Sequence, residues 1–216
     1  QIAKHIPGNV FHVVGRHILG SQAGIKHIVL VGATVYEILG LLSISILIGF
    51  GGMVIFGLGD IYFSLYQIIL ILFTTLVITS LAIALAPYLM SLRGIILPNK
   101  RIRDTIHNIS KVYLLYFIFF LIAGLLLVII VNTFLNINFI ITAKLVVIFS
   151  IAWVAGFIIP GAPGGIGVRE AVIIFFITPI IGEAQSIAVA IALRFITLLG
   201  DVWFLIISDS KFYLKK

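Results

Sequence analysis

The sequence predicts an all-α integral membrane protein, a single polytopic domain over residues 1–216 with about five to six transmembrane helices. Hydrophobic residues make up 62% of the chain and charged residues only 10%, and the mean hydropathy is +1.31. A soluble domain carries about 25% charged residues, so too little polar material is present to cover a water-exposed surface. The other membrane architecture, a β-barrel, needs strands that alternate apolar and polar residues, and continuous apolar runs such as 113–131 exclude it.

Apolar runs and their interruptions define the expected elements. A helix needs about 20 apolar residues to cross the bilayer core, and suitable runs lie at about 26–50, 62–92, 112–134, 143–159 and 183–208. Residues 51–60 are expected to form a loop. Pro160 ends the fourth span, because proline removes a backbone donor and clashes with the preceding turn, and a short apolar segment follows at 168–181. Residues 1–23 are expected at the interface or dipping into the membrane, with further spans upstream of Gln1.

The net charge of +7 comes mainly from cations beside the spans. The segment 93–111 carries Asp104 as its single acid and five cations: Arg93, Lys100, Arg101, Arg103 and Lys111. The positive-inside rule places this loop in the cytoplasm, and the protein is expected to be a multi-pass protein of the plasma membrane. This distribution favours attraction to anionic lipid head groups over a nucleic-acid partner. The side of the C-terminus stays open, because segment 168–181 either crosses the membrane or returns.

Two proline-glycine breaks indicate an internal repeat. Residues 6–8 and 159–161 both read Ile-Pro-Gly, and an arginine follows each proline after nine residues, Arg16 and Arg169. A glycine and a long span with a deep charge follow each break. Repeats with re-entrant or half-helix segments are a recurrent transporter design, and the N-terminus of such a half-helix attracts anions. Repeat elements are therefore expected at about 1–50 and 155–208.

The glycine-rich segment before Arg169 is the strongest candidate for binding a lipid head group. Three glycines within four residues permit backbone conformations that expose consecutive N–H groups to phosphate; they are Gly164, Gly165 and Gly167. Arg169 adds a guanidinium group that binds phosphate oxygens in pairs. In the alternative interpretation, Arg169 and Glu170 pair with other protein groups and hold the break in place, and the two roles are compatible.

The first and last spans carry charges deep inside them. Arg194 and Asp201 are seven residues apart and therefore lie on one face of the last helix. An arginine within a span costs roughly 2.5–3.5 kcal/mol on insertion scales, so Arg194 needs a partner, and Glu37 in the first span is the candidate. Such a pair is either a structural link between the repeats or a gate at which a lipid phosphate competes with Glu37.

Arg16 is a further candidate for head-group binding, because its place in the repeat mirrors that of Arg169. The alternative is an interfacial helix that extends its cations towards lipid head groups. His12 and His17 are five residues apart, which does not match the i, i+4 pair of a helical metal site, so no metal site is predicted. The chain contains no cysteine, which excludes disulfides, thiolate metal sites and cysteine nucleophiles.

The run Pro-Gly-Gly-Ile-Gly-Val-Arg-Glu-Ala at 163–171, preceded by a span, resembles the signature of the lysylphosphatidylglycerol synthase transmembrane, or flippase-like, family. Further residues fit the same pattern: Ile6, Pro7, Gly8, Gly15, Arg16, Gly24, Glu37 and Arg194. The resemblance covers nearly the whole chain and the larger, C-terminal part of a typical member. The best-known relatives add lysine to phosphatidylglycerol in a cytosolic synthase domain, and their membrane part moves the product between leaflets. No synthase domain is present here, so the resemblance implies lipid translocation without naming the lipid.

Three functions remain open at this point. The first is a translocase, or a component of one, for a phosphate-bearing lipid such as a phospholipid or a polyprenyl-phosphate-linked lipid. The second is a non-transporting membrane partner of a glycosyltransferase or lipid-modifying enzyme. The third, an intramembrane lipid enzyme, is disfavoured, because such chemistry uses clustered acids or a base poised on a nucleophile, and the sequence shows neither pattern.

The predicted partners follow from the first function. We expect a protein that is not an enzyme, needs no cofactor, and binds an anionic lipid or a lipid-linked phosphate. A membrane enzyme or a second copy of the chain is a possible protein partner. The sequence contains no Walker-type phosphate loop, so any transport by this chain draws on an ion gradient, the membrane potential or downhill exchange.

Overall fold

The computed structural model describes residues 17, 20–22, 24, 27–58, 64, 66–67, 69–73, 75–76, 99–159 and 162–213, with the backbone alone at 28–29, 99–109, 163, 201 and 204–213. The main elements are α1 (His27–Phe56), α2 (Asn99–Val131), α3 (Phe139–Ile158), a 3₁₀ turn (Pro163–Gly165), α4 (Val168–Ile181) and α5 (Glu183–Tyr213). All regular structure in the described ranges is helical, which confirms the predicted all-α class.

Four of these helices are long and apolar enough to cross a membrane. The suitable stretches are Leu30–Phe56, Ser110–Val131, Phe139–Ile158 and Glu183–Gly200. Helix α4 has 14 residues and is therefore about 21 Å long, shorter than the bilayer core of about 30 Å. The span expected at 62–92 and the first proline-glycine break at 6–8 lie largely or wholly outside the described residues.

The end of α1 and the start of α2 differ most from the prediction. Helix α1 continues through Gly51 and Gly52 to Phe56, where a loop was expected, because Gly52 packs against Val147 in a space that leaves no room for a Cβ. Helix α2 begins at Asn99, so most of the basic segment 93–111 extends this helix and is not a loop. The cations of segment 93–111 were taken to indicate a loop between two spans. Charged residues are equally compatible with a helix whose first part lies in water.

Pairs of contacting residues fix the directions of the helices. Gly124 and Phe120 of α2 contact Val146 and Trp153 of α3, in opposite chain order, so these helices are antiparallel. Helix α1 is also antiparallel to α3, because Gly49 lies against Ile151 and Gly52 lies against Val147. Gly40 of α1 also lies against Tyr113 and Tyr116 of α2.

Helices α3, α4 and α5 alternate in direction. Residues 159–167 reverse the chain between α3 and α4, and Gly182 reverses it again before α5. We call the side at 159–167 the break end and the side holding residues 132–138 and Gly182 the turn end. Helix α2 starts and helix α5 finishes on the break end. The basic start of α2 and the C-terminal end of α5 therefore lie on the same side of the bundle.

The core lies where α2, α3, α4 and α5 meet. All four helices contribute buried apolar side chains to one cluster: Leu127, Val131, Leu145, Ile148, Ile173, Ile177, Val189 and Leu193. Large apolar side chains such as Ile129 and Ile191 are exposed on the outer faces, as expected where lipid replaces water. Because lipid offers helices little hydrophobic reason to associate, close packing at small residues such as Gly124 holds them together.

Candidate functional site

The break between α3 and α4 is built from proline and glycine. Helix α3 ends at Ile158 and α4 begins at Val168, as Pro160 and the glycines predict. Gly164, Gly165 and Gly167 have φ values of 65°, 73° and 83°, in the left-handed region that favours glycine. These conformations let the chain turn back on itself within nine residues and place the start of α4 beside the end of α3.

The side chain of Arg169 lies between two glycines. A Cβ on Gly156 of α3 would come within 2.5 Å of the Arg169 Cγ and 2.9 Å of its Nε, and a Cβ on Gly165 would come within 2.7 Å of that Nε. The Cζ of Arg169 is 5.6 Å from the centroid of the Trp153 ring, within the range of a cation–π interaction. The Nε atom is buried. Glycine at 156 and 165 is thus required for this arginine to occupy its position.

Trp153 is itself fixed by neighbouring rings. Its ring packs edge-on against Phe120 of α2, with centroids 5.3 Å apart, and is stacked on Phe157 at 5.4 Å. Edge-to-face and offset-stacked pairs are the favoured aromatic arrangements. The surface against which Arg169 rests is therefore rigid, and the arginine is oriented before any ligand arrives.

Glu170 links the start of α4 to α5. One carboxylate oxygen accepts the backbone N–H of Gly167 at 2.7 Å, which satisfies a donor at the helix N-terminus. The other lies 3.6 Å from the Nε of Arg194, and the two side chains are 21% and 25% exposed. Glu170 and Arg194 are each twelve residues from Gly182, so the α4–α5 hairpin brings them level with each other.

A small cavity is lined by the charged groups together with residues of the core. It has a volume of about 50 Å³, and its lining includes Trp153, Arg169, Glu170, Arg194 and Thr197 together with apolar side chains of α3, α4 and α5. This is room for a few water molecules. The lining therefore combines charged and polar side chains with apolar ones.

The site lies near one end of the bundle. Gly156, which contacts Arg169, is the eighteenth of the 20 residues of α3, and so lies roughly 26 Å from the start of that helix. The bilayer core is about 30 Å thick. The charged groups therefore lie close to the break end of the bundle, on the side from which the basic start of α2 extends.

The structure brings together three of the residues predicted from the sequence. Arg169, Glu170 and Arg194 converge at the start of α4. Arg194 forms its ion pair with Glu170 and not with Glu37 of α1, because the α4–α5 hairpin places the nearer carboxylate beside it. Arg194 and Asp201 lie two turns apart in α5 as expected, but the side chain of Asp201 and the whole of Arg16 are outside the described residues.

Two of the glycine N–H groups that were predicted to face phosphate have acceptors within the protein. The N–H of Gly165 donates to the carbonyl of Ala162 at 2.9 Å, and the N–H of Gly167 donates to Glu170. These two donors are therefore engaged within the protein and do not form an open phosphate nest. Gly164 lies beside Arg194, with its Cβ position 4.0 Å from an Nη atom. Close approach of arginine side chains is what the glycines permit.

Sequence reasoning missed Trp153 and Gly156. Trp153 had been assigned to ordinary membrane packing, and Gly156 had not been singled out. A tryptophan and a glycine three residues apart lie on neighbouring faces of one helical turn, directly before a break that carries an arginine. That spacing was the available signal, but the separation of 13 residues between Gly156 and Arg169 conceals their contact until the reversal of the chain is known.

The two arginines and one carboxylate leave the site with a formal charge of +1. Guanidinium groups bind phosphate oxygens through paired donors, and the N-terminus of α4 adds a favourable partial charge. The arrangement can therefore hold an anionic group at the edge of the apolar core. Comparison of the chain with protein-family models, curated proteins and solved structures found no match.

Proposed function

We propose that this protein is a flippase-like membrane protein that binds a phosphate-bearing lipid, either a phospholipid or a polyprenyl-phosphate-linked lipid, and translocates it between leaflets. The observation that carries the proposal is the convergence of Arg169 and Arg194 at the start of a short helix inside an apolar bundle. These arginines come from different helices, α4 and α5, and the turn at Gly182 brings the two helices together.

The energetic cost of this arrangement supports a binding role. Arg169 and Arg194 both line one small cavity among apolar side chains, and arginine in apolar surroundings is costly. The second arginine, Arg169, is oriented by Trp153 and by two glycines. A preorganised cation next to an ion pair is suited to an anion that enters from outside the chain.

The surface around the site suits the apolar part of a lipid. Ile166, within the break, and Phe195, next to Arg194, are 56% and 62% exposed. A lipid whose head group reaches the arginines can lay its chains along these side chains without entering the bundle. The phosphate would then lie at the break end, and translocation would carry it towards the turn end.

The first test is native mass spectrometry of the gently purified protein, with wild type beside Arg169→Gln. We expect a co-purified anionic lipid in the wild type and its loss from the variant. Lys144→Gln is the matched control, since Lys144 is a partly buried cation of α3 near the turn end and its loss should leave the lipid bound.

Translocation itself is tested in vesicles that contain a fluorescent phospholipid in one leaflet. Arg169→Gln and Arg194→Gln should each reduce transfer by at least about tenfold, which corresponds to about 1.4 kcal/mol. Normal transfer by both folded variants would refute the proposal. Lipid binding that depends on Arg169 without any transfer would instead favour a non-transporting partner of a membrane enzyme.

A further inference from the structure

We propose that Glu170 acts as an internal competitor for the lipid phosphate and selects lipids with a singly charged phosphodiester over lipids with a diphosphate. This inference rests on the proposed function and concerns the same site. It assigns to Glu170 a role in specificity that goes beyond its contribution to the start of α4.

Glu170 already occupies the position that suits an anion. One of its oxygens accepts the N–H of Gly167 at 2.7 Å, and the other faces the Nε of Arg194 at 3.6 Å. A backbone donor at a helix N-terminus and a guanidinium are the two kinds of group that bind phosphate at such sites. A phosphate that reaches Arg194 must therefore share it with the carboxylate or displace the carboxylate from it.

The charges that face Glu170 come from two helices. Helix α4 supplies Arg169, next to it in sequence, and helix α5 supplies Arg194. The cavity side chains from α3, including Trp153 and Phe149, are uncharged. With the carboxylate ionised, the two guanidinium groups leave a formal charge of +1, which one phosphodiester neutralises.

A diphosphate brings at least one further negative charge into the same space. The excess charge would face the Glu170 carboxylate across a few ångströms, in surroundings where charges are poorly screened. The negative charge of Glu170 therefore disfavours a diphosphate relative to a phosphodiester.

The substitution that isolates the charge is Glu170→Gln. Glutamine keeps a carbonyl oxygen that can accept the Gly167 N–H, so the start of α4 retains its hydrogen bond while the negative charge is lost. Glu183→Gln is the matched control, because Glu183 is an exposed acid in the first turn of α5 at the turn end. Thermal unfolding of each variant shows whether it is folded.

The experiment measures binding by native mass spectrometry against two lipids with identical acyl chains, phosphatidylglycerol and diacylglycerol pyrophosphate. Wild type and Glu183→Gln should prefer phosphatidylglycerol by about tenfold or more, since like charges in contact repel at least this strongly. In Glu170→Gln the affinity for both lipids should rise, and the diphosphate should gain at least about tenfold more, so that the preference disappears.

Two results would overturn the inference while leaving the proposed function intact. One is a wild type that binds the diphosphate as well as or better than phosphatidylglycerol, a measurement that needs no variant. The other is a folded Glu170→Gln protein with an unchanged ratio of affinities. Failure of the wild type to bind either lipid, or binding that survives Arg169→Gln, would instead refute the proposed function and the inference with it.

Discussion

Replacing Gly156 by alanine should displace Arg169 without altering any charge. The new Cβ would lie 2.5 Å from the Arg169 Cγ, 2.9 Å from its Nε and 3.2 Å from the Cα of Gly165. The Cγ is close to the backbone of its own residue, so a rotation at the far end of the side chain cannot relieve the contact. Either the whole arginine side chain moves away from Trp153 or α3 and the break move apart.

Two opposing contributions set the change in the free energy of unfolding that Gly156→Ala causes. Overpacking of a filled site costs about 1–3 kcal/mol, while alanine in place of a helical glycine contributes about 0.5–1 kcal/mol in favour of the folded state. We therefore expect Gly156→Ala to lower the free energy of unfolding by about 1–2 kcal/mol. Loss of the oriented guanidinium should weaken lipid binding by about tenfold.

The assay combines denaturant unfolding in mixed micelles with lipid binding by native mass spectrometry. Two control glycines in α1 separate stability from binding. Gly51 has no atom within 4 Å of its Cβ position, so Gly51→Ala should raise stability slightly and leave binding unchanged. Gly52 has no room for a Cβ because Val147 occupies that space, so Gly52→Ala should lower stability without changing the affinity for lipid.

One outcome would refute the reasoning about Gly156. If Gly156→Ala binds lipid as tightly as wild type and is as stable as Gly51→Ala, then Arg169 is not held in place by the close approach of α3. A loss of stability with full binding would mean that Arg169 can move and still reach the phosphate. The orientation of the guanidinium would then not limit binding.

Three further predictions concern the cation–π contact, the start of α3 and the sides of the membrane on which two residues lie. Trp153→Phe weakens the cation–π contact with Arg169, worth about 0.5–1 kcal/mol, and should reduce lipid affinity by about two- to fivefold in a titration. Asn138 accepts the N–H of Ile141 at 2.9 Å at the start of α3, so Asn138→Ala should cost about 1 kcal/mol of stability and leave lipid binding unchanged. In this cysteine-free chain, single cysteines at Asn136 and Ser210 should react with impermeant thiol reagents from opposite sides of the membrane, and labelling of both from one side would contradict the antiparallel arrangement.

Much of the fold could be predicted from the apolar composition and from the break in the chain at Pro160. The runs that became α2, α3 and α5 are apolar for long enough that only membrane helices satisfy their backbone groups. Pro160 marked the end of α3 to within two residues. The C-terminal end of α1 and the start of α2 could not be predicted in the same way. Gly52 looks like a loop residue until its packing against Val147 is known, and charges next to a span do not show where a helix begins.

The site was predicted in its residues more than in its contacts. Arg194 stood out because a charge within an apolar span is costly, and Arg169 and Glu170 stood out because they follow the glycine-rich break. Their pairing depends on the one-residue turn at Gly182, which sets Glu170 and Arg194 level and leaves Glu37 on another helix. Trp153 contacts Arg169 because the chain reverses direction between α3 and α4. The separation of the two residues in the sequence does not indicate that contact.

The shortness of α4 has a consequence for the surrounding lipid. Phe175 on its outer face is 51% exposed, so this helix of 14 residues is in contact with acyl chains over only about 21 Å. A bilayer adapts to such hydrophobic mismatch by thinning, at a cost of fractions of a kcal/mol per Å. We therefore expect the membrane to be thinner along α4, so that a head group that leaves the arginines there meets less hydrocarbon than beside the longer helices of the described residues.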